Sequence, residues 1–120
     1  MSVSGSCHCG ATKFEIVALP ESLTTCTCTF CSKRGMLWGY YPADQVTIVS
    51  ETARAIYNPS VVNLHHFCAV CGCGTYSETP DWSSGEPDMT KMRIGINARL
   101  LDDVDLKSIP HKEIDGRNLW

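Results

Sequence analysis

The sequence predicts a mostly β domain of short antiparallel strands, and three observations carry that prediction. Apolar residues recur at every second position in several short runs, the period of a half-buried strand. No stretch of about ten or more residues keeps a helical period near 3.6 free of breakers. The connections between the runs are rich in Pro, Asn, Asp and Ser and too short for helical crossovers, so neighbouring strands pair antiparallel.

Along the chain, Thr12-Lys13-Phe14-Glu15-Ile16-Val17 reads as a strand, its bulky apolar side chains alternating with polar ones. Met36 to Tyr41, Val46 to Val49, Arg54 to Tyr57 and Val61 to Phe67 are further strands, separated by turn-prone Pro42-Ala43-Asp44 and Asn58-Pro59-Ser60. Lys91 to Ala98 shows the cleanest alternation, with Met92, Ile94, Ile96 and Ala98 on one face. Thr79 to Asp88 is rich in Pro, Gly, Ser and Asp and reads as an exposed loop, in which Trp82 is an oddity. The tail after Leu101 is polar, carries Pro110 and Gly116, and ends in Leu119-Trp120, either tucked back onto the domain or mobile.

At 120 residues and 43% hydrophobic, the chain builds one modest core, so residues 1–120 are expected to form a single domain. A net charge of -3 without any cluster of five or more Lys/Arg gives no electrostatic footprint for nucleic acid or lipid. The N-terminal MSVSGSCHCG lacks a basic region followed by an apolar one, and no apolar run approaches the ~20 residues that span a bilayer. A cytoplasmic location is the expectation, with no membrane or nucleic-acid partner. In a reducing compartment eight cysteines point to zinc ligands rather than disulfides.

The cysteines fall into three groups: Cys7 and Cys9 (CHC); Cys26, Cys28 and Cys31 (CTCTFC); and Cys68, Cys71 and Cys73 (CAVCGC). The CAVCG element is a zinc knuckle, a tight turn aiming two thiolates at one metal, with Gly72 easing the backbone. Cys7-His8-Cys9-Gly10 supplies a second pair, and the two pairs together make a closed site of four cysteines with structural rather than chemical work to do. Cys26, Cys28 and Cys31 are left as a three-thiolate set. Three protein ligands and an exchangeable fourth is the stoichiometry of a catalytic zinc; Cys73, His65, His66 or His111 as fourth ligand would instead close the site. Adjacent strand residues face opposite ways, so at most one of His65 and His66 faces the metals.

The order G-x-C-x-C-G (Gly5 to Gly10), C-x-C-x-x-C with a basic pair and a glycine (Cys26 to Gly35) and H-F-C-x-x-C-G (His66 to Gly72) resembles the glutathione-dependent formaldehyde-activating enzyme family. That family includes the centromere protein V type of domain, to which the SKRG after Cys31 is closer. The resemblance implies a β-tent fold with two zinc ions per chain, a structural one on Cys7, Cys9, Cys68 and Cys71 and a second on Cys26, Cys28 and Cys31. It implies condensation of glutathione with formaldehyde to S-(hydroxymethyl)glutathione, a carbon-sulfur lyase or synthase activity. Cys73 departs from the threonine or other small residue more usual after C-x-x-C-G; as a spare thiol it packs as a small hydrophobe.

A three-thiolate zinc site carries a formal charge of -1 and suits the exchange of a soft donor such as a thiol. Lys33 and Arg34 either pair with a carboxylate of such a substrate or form a solvated basic turn. Trp38, Tyr40 and Tyr41 either line a pocket beside the cluster or belong to the core. His111 reads as a surface histidine, and Glu51, Asp81 and Glu113 are equally available as supporting carboxylates. The alternative to an enzyme is a zinc-stabilised protein-interaction module with both zincs structural. A methionine-sulfoxide-reductase-like role would need a reactive cysteine outside the metal sets, and only Cys73 is left for it.

Overall fold

Short alternating runs do become strands, arranged in two sheets. The computed structural model describes residues 2–58, 62–81 and 84–119. The expectations for Trp82, Trp120 and the stretch 59–61 lie outside those residues. In chain order the elements are β1 (Val3–Ser6), β2 (Thr12–Ile16), β3 (Leu23–Cys26), α1 (Thr29–Arg34), β4 (Trp38–Pro42), β5 (Val46–Glu51) and β6 (Arg54–Tyr57). They continue with β7 (Leu64–Cys68), β8 (Gly74–Asp81), β9 (Asp88–Asn97), β10 (His111–Ile114) and α2 (Gly116–Leu119). A small sheet runs β1-β2-β5, and a larger one runs β10-β3-β4-β9-β8-β7-β6.

The core lies between these sheets and the connections that follow β9. Phe14 and Ile16 of β2, Leu23 of β3, Tyr41 of β4, Tyr76 of β8 and Ile96 of β9 meet in one apolar cluster. In the small sheet Gly5 stands opposite Phe14, and a Cβ on Gly5 would fall 2.3 Å from the tip of the Phe14 ring. The glycine is therefore a requirement of packing: only a bare backbone leaves room for the ring.

Strand β9 is covered unevenly. Its expected apolar face is buried at Ile96 and Ala98, yet Met92 is 36% exposed. At the same end the opposite face is buried as well, because Trp38 and Tyr40 cross Gly95, where a Cβ would meet Tyr40 at 2.9 Å and Trp38 at 3.1 Å. This closure on both faces brings Trp38 under the three-cysteine segment.

Two expectations are corrected. The segment expected as a loop from Thr79 to Asp88 is in part strand: β8 continues through Thr79 and Pro80 to Asp81, with Pro80 opposite Met92 and a bulge before Asp81. Thr75, Tyr76 and Ser77 are all buried, the polar pair on the face opposite Tyr76, so β8 shows no apolar alternation, and the bulge accommodates a proline that normally interrupts a sheet. Pairing is not wholly antiparallel, because β10 runs parallel to β3 in the register His111↔Leu23 to Ile114↔Cys26. A connection over residues 98–110 returns the chain in the same direction, and the tail docks on β3. Beside these, the CTCTFC segment opens a six-residue helix, α1, too short to show a period.

Candidate metal centres

Two hairpin-like turns build the first cluster. Cys7 follows β1, and Gly10 at φ 83° turns the chain so that its amide donates to the Cys7 carbonyl at 3.1 Å. Cys68 ends β7, and Gly72, also at φ 83°, donates its amide to the Cys68 carbonyl at 2.8 Å. A positive φ costs glycine almost nothing, which is why each thiol pair is followed by one. The sulfurs of Cys7, Cys9, Cys68 and Cys71 all lie within 4.8 Å of one another. Cys7 and Cys9 Sγ are 3.7 Å apart and Cys9 and Cys68 Sγ 3.6 Å apart. A tetrahedron with metal–sulfur bonds of about 2.3 Å has edges of about 3.8 Å, so the donor set fits zinc.

The electrostatics of this cluster point the same way. Backbone amides of Cys73 and Cys9 pull the Cys71 thiol down to about 5. The Ala11 amide favours the Cys9 thiolate, but desolvation and the sulfurs of Cys68, Cys7 and Cys71 outweigh it and push that thiol up to about 11. Four adjacent sulfurs resist a shared negative charge, and a bound cation removes the resistance. The Thr12 amide donates to Cys7 Sγ at 3.3 Å and fixes its orientation.

The second cluster is local. Cys26 closes β3, Cys28 is the N-cap of α1 and Cys31 lies in its first turn, with all three sulfurs within 4.8 Å of one another. Cys28 Sγ accepts the Cys31 amide at 3.4 Å, the bond a capping serine would make. Gly35 ends the helix in the left-handed conformation at φ 63°, its amide bonded to the Cys31 carbonyl. Lys33 and Arg34 in the last turn complement the helix dipole. Trp38, only 3% exposed, donates its indole N–H to Cys31 Sγ at 3.3 Å. Burial pushes the Cys31 thiol up to about 12, against the Trp38 donor and helped by the charge of Cys28 and Cys26. At Cys28 burial works against ionisation, yet hydrogen bonds from the Cys31 amide and the Cys31 and Cys26 thiols lower its pKa.

Among the described residues, no fourth protein donor joins this trio. Cys73 sits on the other side, beside the four-cysteine cluster, with its thiol near the His8 amide and the Cys71 sulfur. His65 Nδ1 lies 2.6 Å from Ser77 Oγ, and its ring stacks on Phe30 at 3.8 Å. His66 faces the opposite way, as strand geometry requires, donating Nε2–H to Glu78 Oε2 at 2.8 Å and stacking on Tyr76 at 4.1 Å. His111 is exposed and bonds the Leu106 carbonyl at 3.1 Å. Trp38 thus packs in a small apolar cluster with Cys26, Cys31 and Met36, whereas Tyr41 belongs to the main core and its hydroxyl donates to the Ala18 carbonyl at 2.8 Å. Tyr40 stacks on Trp38 at 6.2 Å from an exposed position. Glu51 accepts the Tyr76 hydroxyl at 2.8 Å. Lys33 is exposed, and the Arg34 guanidinium lies over the Phe30 ring at 4.1 Å and the Tyr57 ring at 5.0 Å.

A cavity of about 400 Å³ opens beside Cys26 and Cys31, and Glu113, Arg99 and Arg117 line it with them. The sequence reading did not single out the two arginines. They arrive from far along the chain: Arg99 Nε donates to the Gly35 carbonyl at 2.8 Å, and Arg117 Nε to the Thr27 carbonyl at 3.2 Å. The docked tail makes this possible, with Thr27 Oγ1 donating to Asp115 Oδ1 at 2.7 Å and accepting the Arg117 amide at 3.2 Å.

Two sheets carrying one four-thiol and one three-thiol cluster define a small mostly β protein whose cysteines fit metal ions. The profile of the glutathione-dependent formaldehyde-activating enzyme family matches residues 2–114, and the chain belongs to that family. A Halomonas elongata protein described, provisionally, as a glutathione-dependent formaldehyde-activating enzyme is 30% identical over 93 residues. That match takes in 68% of this chain and 59% of the relative, so the chain spans less than two thirds of the relative's length. A crystal structure of a Rhodobacter sphaeroides protein has the same fold, with a TM-score of 0.71 at 23% identity over 91% of this chain and 99% of that one. No helix among the described residues is long and apolar enough to cross a membrane.

Proposed function

We propose that the chain is a zinc-dependent carbon-sulfur lyase or synthase that joins the thiol of glutathione to formaldehyde, with two zinc ions in different roles. Cys7, Cys9, Cys68 and Cys71 would hold a structural ion, and Cys26, Cys28 and Cys31 the one at the reaction site. The observation that carries this reading is the trio of sulfurs with no fourth protein donor among the described residues, opening on a cavity large enough for a small peptide. Cys26, Cys28 and Cys31 would hold the zinc, which would supply positive charge that lowers the pKa of a thiol donor.

In the forward direction the substrate sulfur forms a bond to the aldehyde carbon, and the carbonyl π pair moves to oxygen. The proton released by the thiol balances the one taken up by that oxygen, so the product is a neutral hemithioacetal; the reverse is the lyase direction. The protein's part is orientation. Trp38 fixes Cys31, the amide of Cys31 fixes Cys28, and both sulfurs stay aimed at one point while Met36 and Trp38 exclude water from beneath them. Lys33 and Arg34, on the outer side of α1, attract an anionic thiol towards the opening. Residues 1–120 would act as one domain.

Hemithioacetal formation is also spontaneous, so the test is acceleration. Exchange between free and glutathione-bound ¹³C-formaldehyde, followed by NMR at fixed total concentrations, should quicken with wild-type protein and return to the spontaneous rate with Cys28→Ser. Exchange unchanged by zinc-loaded wild-type protein would reject the enzyme reading and leave a zinc-stabilised interaction module.

A further inference from the structure

The cavity beside Cys26 and Cys31 has a charge pattern that the cysteines do not explain. Two guanidinium groups and one carboxylate line it, from Arg99, Arg117 and Glu113. Neither arginine forms an ion pair among the described residues. Each is held in place by a backbone carbonyl on its Nε, Gly35 for Arg99 and Thr27 for Arg117, which fixes the guanidinium plane. A tethered guanidinium at a cavity wall, such as that of Arg99, is a site prepared for a carboxylate; Arg117 shares its charge with the neighbouring Asp115, whose carboxyl it helps to hold below the usual range.

The spacing of the anchors adds a length. Thr27 and Gly35 bracket α1, whose six residues span about 9 Å. An extended tripeptide spans about 10 Å, a length comparable to α1, and Cys26, Cys31 and both arginines line the same cavity. The tail also has a polarity. Glu113 and Arg117 belong to one short segment, β10 into α2, and present an acid and a base together. The matching group is a free α-amino acid end, which displays ammonium and carboxylate on one carbon, whereas Arg99 alone matches a single carboxylate.

Building on the proposed function, we infer that Arg99, Arg117 and Glu113 are the specificity residues of this cavity and select a peptide thiol with two carboxylates and one ammonium. The amino-acid end of the peptide lies on Glu113 and Arg117, and its C-terminal carboxylate on Arg99. The thiol of the central residue then falls between them, at the open side of the three sulfurs.

The test separates charge from sulfur. S-methylglutathione keeps every charged group but has no ionisable thiol, so calorimetric titration of metal-loaded protein with it reads the cavity alone. Arg99→Ala and Arg117→Ala should each weaken its binding about tenfold or more, the size of a lost charge-assisted pair. The C-terminal amide of S-methylglutathione should bind wild type about tenfold more weakly and be indifferent to Arg99→Ala, while the analogue lacking the amino group should be indifferent to Glu113→Gln. Because these contrasts use two ligands on one variant, a folding defect cannot imitate them. Binding unaffected by either arginine, an amide that responds to Arg99→Ala as strongly as the acid, or a larger loss from a Lys33→Ala, Arg34→Ala double variant would overturn the inference. The underlying reading has its own control: 2-mercaptoethanol carries no charge, and it should alter the visible spectrum of cobalt-substituted protein. No spectral change, with S-methylglutathione still bound through the arginines, would reject thiol binding at the metal and keep the charged cavity.

Discussion

The two cysteine clusters solve opposite problems. Four sulfurs come from two turns 59 residues apart in sequence at their closest recorded pair, Cys9 and Cys68, and so tie the small sheet to the large one. Three sulfurs come from a single stretch of six residues and tie together only the end of β3 and the first turn of α1. The distant set closes a long loop, whose entropic cost a small domain cannot easily meet from apolar burial alone. The local set closes nothing and faces a cavity. On the proposed reading, a metal at the first would supply folding energy, and a metal at the second mainly chemistry.

The sharpest way to break this contrast is to remove one ligand from each cluster. Apparent binding energies for structural zinc of about 10–16 kcal/mol exceed the whole stability of most small domains, about 5–15 kcal/mol. Cys68→Ser, at a position with 0% exposure, should therefore abolish the cooperative thermal transition followed by circular dichroism. Cys28→Ser keeps an oxygen able to cap α1, and should leave the transition in place while metal content measured by mass spectrometry falls by one equivalent. Equal losses of stability from the two variants would erase the distinction between a structural and a chemical cluster.

A smaller effect is expected at Trp38. Trp38→Phe keeps an aromatic ring in the buried space and deletes the N–H that bonds Cys31 Sγ. Loss of such a supporting donor costs about 10–100-fold in metal affinity. Competition with a chromophoric chelator should show that drop at the three-cysteine site alone. If both sites weaken together, the indole is acting through the fold and not through Cys31.

What the sequence disclosed about these clusters depended on how far the relevant signal travels. The two cysteine clusters were legible because each thiol pair or trio is a local pattern, and glycines at positive φ mark both turns of the first. The strands with apolar alternation, at residues 12 to 17 and 91 to 98, appear close to where their periodicity puts them, at Thr12–Ile16 and within Asp88–Asn97. Strand β8 was hidden because both of its faces are buried and one of them carries polar Thr75 and Ser77, and β10 because its residues His111 to Glu113 are all exposed. With β10 unseen, its parallel pairing with β3 was unseen too, and so was the delivery of Glu113 and Arg117 to Cys26. Arg99 was likewise invisible, since nothing local says that its Nε reaches a carbonyl 64 residues earlier.

Gly35 tests the local cluster from its far end. At φ 63° an L side chain is strained even though open space surrounds the position. Gly35→Ala should cost about 1 kcal/mol, read as a lower midpoint in urea with an unchanged slope. The loss should fall on α1, and with it on the Cys28 and Cys31 geometry, so metal release from the three-cysteine site should quicken while the four-cysteine site is untouched. Equal quickening at both sites would mean that α1 supports the whole fold.

The smallest expected effect is a pH dependence carried by His65, which stands between the local cluster and the large sheet. Desolvation holds its pKa at about 4, with the Arg34 guanidinium of α1 and His66 of its own strand adding repulsion. On β8 it faces the neutral Ser77 hydroxyl, and beneath it lies the Phe30 ring. An unfolded histidine titrates near 6.5, so between about pH 4 and 6.5 the unfolded chain binds more protons than the native one. Stability from this residue is therefore complete above about pH 6.5 and declines as pH falls towards 4. The ring is only half buried, so solvent screens the effect and a small slope is expected. Comparing thermal midpoints of wild type and His65→Gln across that window, at matched metal content, isolates the term: the difference should shrink as pH falls. A constant difference would show that the ring contributes by stacking on Phe30 alone, and that the local cluster is insensitive to charge at its back.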